Sequence, residues 1–142
     1  MPSNHDGEHI LVIPCSGIGK VHGLISREAM YLVTDELAPG QTETQCLALL
    51  VKGDADAVSA VRSHPCITID GCPKACAQKN VEMAGGTVVK AVRVVEAFKT
   101  HRGAQPGSAS GLTNDGWTIA REIADAVAAE VNSLATEREV AS

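Results

Sequence analysis

Apolar and polar residues follow two alternating patterns along this chain. His9 to Pro14 is an almost unbroken apolar run, HILVIP, which suits a short strand buried on both faces. Val21, Ile25, Ala29, Val33 and Leu37 then recur at four-residue steps, with Leu24 and Leu32 beside them, and predict an amphipathic helix ended by Pro39 and Gly40. A second strand falls within Thr42 to Val51, with limits the pattern leaves open between TETQ and LALLV. DADAVSAVRSH predicts a short helix with an acidic first turn, closed by His64 and Pro65. Cys66 to Asp70 reads as the third strand. Pro73 to about Ala84 reads as a helix stopped by Gly85 and Gly86, and Thr87 to Val95 as a fourth strand.

Strands alternating with helical connections predict an α/β fold: a single domain with a mainly parallel four-stranded sheet and helices on its faces. Residues 1–8 form a polar tail and residues 9–99 the α/β core. Residues 100–116, rich in Gly, Ser and Pro, read as a flexible loop. Residues 117–142 hold a last helix whose stripe, Ile119, Ile123, Val127, Val131 and Leu134, must be covered by the sheet or by a second copy. A homodimer through this helix is the alternative to burial in the core.

Composition narrows the partners. With 142 residues and 44% hydrophobic content, one domain with a sizeable core is expected. One Phe, one Trp and one Tyr leave no aromatic platform for bases, and the net charge of −5 disfavours a phosphate backbone, so nucleic acid is set aside. No apolar run reaches the ~20 residues of a membrane span, and MPSNHDGEHI lacks the pattern of a signal peptide, so the expected place is the cytoplasm, without a membrane. Five cysteines in a reducing compartment point to metal or thiol chemistry rather than to disulfides.

In open α/β sheets, sites gather beyond the carboxyl ends of the strands. Cys15 follows the first strand and Cys72 the third. Cys46 joins them if the second strand is TETQ, the version favoured here for that reason. Pro73 suits a first helical position, which would make Cys72 the N-cap and put Cys76 one turn inside. Helical residues four apart have Cβ atoms roughly 5–6 Å apart, wider than the about 3.5–4.5 Å of a disulfide. Two thiolates sharing a zinc need sulfurs only ~3.8 Å apart with the ion between them, so a shared metal fits better. The helix N-terminus, Lys74 and Lys79 would favour the thiolates of Cys72 and Cys76, as would Lys20 and the SGIG loop that of Cys15. Gly17, Gly19 and Gly71 let the backbone approach the cluster. Asp70 is expected to hydrogen-bond the loop around Cys72 or to cap the helix.

Other features have plainer readings. Cys66 begins the third strand, at the end away from the site, and reads as core. GIGK is not a phosphate loop, because Pro14 and Val21 stand where that pattern needs Gly and Ser or Thr. His22 reads as a solvent-facing residue at a helix start, with a ligand or acid/base role as the alternative. His5, His9, His64 and His101 have no ligand spacing.

The segments PCSGIGKVHG, QCLALL and IDGCPKACAQK resemble the DGC-domain family, small bacterial and archaeal proteins for which zinc binding is the expectation. The resemblance covers about Ile10 to Val95. It implies metal-chelating roles for Cys15, Cys46, Cys72 and Cys76, the same four that the strand ends gather, and it brings no activity with it. Three functions follow as expectations. The first is a non-enzymatic protein holding a zinc ion on these four cysteines for structure, sensing, delivery or docking of a protein partner. The second is an iron–sulfur cluster protein on the same ligands. The third is a thiol-based redox or sulfur-transfer enzyme with Cys72 or Cys76 as nucleophile.

Overall fold

A computed structural model describes residues 9–15, 20–71, 74–108 and 110–141. Strand β1 spans Ile10–Pro14, and α1 spans Val21–Tyr31 and continues as a π-helical segment, Leu32–Leu37. Next come β2 (Thr42–Glu43), α2 (Leu47–Lys52), α3 (Ala55–Ser63), β3 (Pro65–Asp70), α4 (Cys76–Met83) and β4 (Thr87–Arg93). The chain ends with α5 (Val94–Phe98), a hairpin of β5 (Gly107–Ser108) and β6 (Gly111–Leu112), and the long α6 (Asn114–Ala141).

The main sheet has strand order β2-β1-β3-β4, and all its pairings are parallel. The chain steps from β1 outward to β2 and then crosses back over β1 to β3. The direction of winding therefore reverses between β1 and β3, the place where doubly wound sheets open a crevice beyond the strand ends.

Side chains alternate across this sheet. Ile10, Val12, Ile67 and Ile69 pack with Ile25, Ala29 and Val33 of α1 and with Ile119, Ile123 and Val127 of α6. Leu11, Ile13, Cys15 and Cys66 pack on the other face with Leu47 and Leu50 of α2, Ala57 and Val61 of α3, and Ala77 and Val81 of α4. β1 and β3 are thus covered on both sides, which is why they read as continuous apolar runs. Each fully buried Ile or Val contributes about 1.5–3 kcal/mol relative to exposure, so this aliphatic double layer carries most of the stabilisation. The stripe of α6 is core: Ile119, Ile123, Val127 and Val131 are buried within the same chain, and Leu134 packs against them.

Several boundaries differ from the sequence reading. The favoured second strand, TETQ, is present but shortened to β2 at Thr42–Glu43, and LALLV forms α2; Gly53, left-handed at φ 88°, ends that helix. β4 stops at Arg93, whose partner Asp70 is the last residue of β3, and Val94 turns into the core to begin α5. The expected flexible loop 100–116 contains the β5–β6 hairpin and the start of α6. Its ends are tied by Thr113 N–H to the Pro106 carbonyl at 2.9 Å and Gln105 N–H to Asp115 at 3.1 Å. The polar tail 1–8 lies outside the described residues. No helix among the described residues is long and apolar enough to cross a membrane.

Candidate metal centre

Cys15 lies one residue beyond β1 and is buried at 3% exposure. Its backbone N–H extends the ladder to the Ile69 carbonyl of β3 at 2.9 Å. Its sulfur accepts the backbone N–H of Gly71 at 3.0 Å and lies 3.5 Å from the hydroxyl of Ser26. Ser26, fully buried on α1, donates its hydroxyl proton to the Gly23 carbonyl at 2.7 Å, which leaves its oxygen free to accept from the Cys15 thiol. Ser26 was not singled out in the sequence; the signal for it was a small polar residue inside an apolar helical stripe.

Gly71 is held tightly from the other side. A Cβ placed there would stand 2.7 Å from the carbonyl carbon and oxygen of His22 and 2.9 Å from the nitrogen of Gly23. Only glycine admits this approach of the β3 end to the start of α1. The close contact that requires glycine here is with the α1 backbone, whereas the role expected for Gly71 was approach to the cysteine cluster. Gly17 and Gly19, the other two glycines of that expectation, fall outside the described residues, as does Cys72.

Asp70 is 1% exposed and closes α4 from a distance: Oδ1 accepts Ala77 N–H at 2.7 Å and Oδ2 accepts Gln78 N–H at 3.2 Å. This corrects the expected helix start. α4 begins at Cys76 rather than at Pro73, after Ala75 in a left-handed conformation with φ 55°. The physical reason is the buried carboxylate, which takes up the first free N–H groups at residues 77 and 78 and so fixes where the helix begins. Cys76 consequently stands in the first turn, and the helical spacing expected between it and Cys72 falls on a residue outside the described ones. The positive helix end that was to favour the cysteines is shared with Asp70.

Cys76 is half-buried and packs against the same apolar cluster as Cys15. Its carbonyl accepts the Asn80 side-chain amide at 2.8 Å. Cys46 is exposed, three residues beyond β2, at the N-cap of α2, whose next residue, Leu47, joins that cluster. Among the described residues, no three of His, Cys, Asp and Glu are placed to hold a metal ion. In kind, cysteine sulfur suits a thiophilic ion, and the Cys15 sulfur already accepts one backbone N–H.

The remaining candidates surround this edge without joining it. Lys20 is exposed at the N-cap of α1, and Lys74 is exposed before α4. The His22 ring packs on Phe98 at 4.8 Å between centroids, a contact the sequence reading did not foresee. Burial, and secondly the charge of Lys20, push the His22 pKa below its ordinary value. Cys66 is core as expected: it is fully buried, its thiol donates to the Val61 carbonyl at 3.7 Å and the His64 carbonyl at 3.4 Å, and burial pushes its pKa up to about 11.

The loop that brings Gly71 to Cys15 is the one carrying the Asp-Gly-Cys sequence, and the model of the DGC domain matches residues 11–115. The chain belongs to the DGC-domain family. The match includes β1 from Leu11 on, β3, and the hairpin before α6. Searches of curated proteins and of solved structures found no match. In this DGC domain, the glycine of the motif packs on α1, and the aspartate caps α4.

Proposed function

We propose that this DGC domain is a non-enzymatic metal-binding protein whose ligands are Cys15, Cys46, Cys72 and Cys76, with zinc as the ion. The observation that carries the reading is the Gly71 N–H to Cys15 Sγ hydrogen bond, which supplies a donor to a buried sulfur at the edge where the family motif lies. A zinc ion on four thiolates would carry a net charge of about −2, and N–H and O–H donors at the sulfurs offset such charge. When bound, the ion supplies structural cross-linking and a saturated, unreactive ligand shell. The protein's own part is to hold Cys15 in place through Gly71 and Ser26, and Cys76 through the Asp70-capped turn. Residence in the cytoplasm accompanies this reading, since unprotected thiol ligands need a reducing compartment.

Anaerobic purification, metal analysis and a visible spectrum test it. A colourless protein with about one zinc per chain, lost in Cys15→Ser and Cys72→Ser, is the expected result. Stoichiometric iron and inorganic sulfide with brown colour would replace zinc by an iron–sulfur cluster on the same ligands. Metal-free protein with one rapidly alkylating cysteine would replace both by thiol chemistry at Cys72 or Cys76.

A further inference from the structure

The single tyrosine and the single tryptophan of this chain do not serve the core. Tyr31 is 49% exposed and Trp117 is 44% exposed, although the interior is aliphatic and burial of either ring would be favourable. Both line one cleft of about 330 Å³ between α1 and α6, together with Leu32, Glu28, Asp35 and Glu36. The cleft lies along the C-terminal half of α1, where the helix widens into its π-helical segment, away from the cysteine edge at the other end of α1. Three carboxylates and two aromatic rings face it, and no basic side chain is among the described residues lining it.

Carboxylates and ring faces attract the same kind of group, a cation with a flat or apolar body. A guanidinium satisfies both at once, by hydrogen bonds to carboxylate oxygens and by stacking on an indole or phenol. We propose that this cleft is a docking site for an arginine-containing basic segment of a partner protein. Charge complementarity selects that occupant: the chain carries a net charge of −5, and the cleft gathers three of its acidic residues beside two exposed rings available for stacking. A second copy of the chain is a poorer occupant, since it would bring its own acidic surface.

The test uses the full chain and a fluorescein-labelled hexa-arginine peptide at low ionic strength, followed by anisotropy and by the emission of Trp117, the only tryptophan. Saturable binding with a change in Trp117 emission is expected, and a hexa-glutamate peptide should not bind. Asp35→Asn with Glu36→Gln should weaken binding by about fivefold or more, and Trp117→Ala by a similar factor. Asp56→Asn with Glu82→Gln removes the same charge from the opposite face of the sheet and should change binding by less than about twofold. Equal weakening by both pairs would show diffuse attraction and overturn the proposal. So would absence of binding, or self-association in sedimentation that Trp117→Ala abolishes while peptide binding is missing. Thermal melts of each variant establish that the comparison is made between folded proteins.

Discussion

Asp70 reaches seven residues along the chain to accept the Ala77 N–H at 2.7 Å, so that the end of β3 is also the cap of α4. A single buried carboxylate thereby sets the distance between the motif loop and the helix that carries Cys76. Ala75 at the N-cap offers these N–H groups no side-chain acceptor of its own.

Replacement of Asp70 measures that coupling. Asp70→Ala should lower stability by about 2 kcal/mol or more, because two helix N–H groups lose their acceptor in a buried setting, and Asp70→Asn by about 1 kcal/mol. Urea denaturation reads both. An Ala variant as stable as the parent would mean that the cap contributes nothing.

Gly71→Ala should be among the most damaging small substitutions in the domain. The added methyl would meet backbone atoms of His22 at 2.7 Å, and backbone cannot swing aside as a side chain can. A loss of about 2 kcal/mol or more is expected, together with a changed environment for the His22 ring in NMR spectra. Gly40→Ala, with nothing within 4 Å of the new methyl, is the matched control and should stay within about 0.5 kcal/mol of the parent.

Cys66 should behave as a silent thiol. In chelator-treated protein at pH 8, iodoacetamide should label exposed Cys46 promptly and Cys66 only on unfolding, as peptide mass spectrometry will show. The buried thiol is held neutral, with its pKa raised from 9.0 to about 11, so the unfolded chain releases this proton first. Its stabilising contribution is complete below pH 9 and falls away as the pH rises toward about 11. Cys66→Ala should therefore lose less stability than the parent over that interval, whatever its cost at neutral pH. Parallel alkaline curves for the two proteins would contradict this.

Thr68 offers the opposite opportunity. Its hydroxyl is fully buried in β3 and has no hydrogen-bond partner among the described residues. Valine keeps the shape and removes the unsatisfied group, so Thr68→Val should raise stability by up to about 1 kcal/mol, measured by the urea midpoint at unchanged slope. A marked loss would mean that the hydroxyl has a partner in solution.

The parallel sheet, its two buried strands and the stripe of α6 were legible because continuous apolar runs and four-residue steps survive into the fold unchanged. LALLV was ambiguous: an apolar run of five residues suits a buried strand or one helical turn equally, and only the position of Cys46 favoured TETQ as the strand. The start of α4 was misjudged because Pro73 is a good first helical residue locally, whereas the deciding acceptor, Asp70, acts through a loop. The π-helical widening after Tyr31 had no sequence signal, and the clustering of Tyr31 with Trp117 joins residues 86 positions apart. At the candidate centre, the place of Cys15 just after β1 follows from the apolar run before it, whereas the packing of Gly71 on α1 had no sequence signal. Ser26 was missed because a serine in a helix interior is usually uninformative.

The interior position of β1 has a consequence for how this protein is made. β1 and its cysteine are synthesised early, but the partner strand β3 and the Gly71 N–H come 56 residues after Cys15. A growing chain therefore carries Cys15 with an unprotected sulfur until β3 leaves the ribosome, and only β2 can pair with β1 before then.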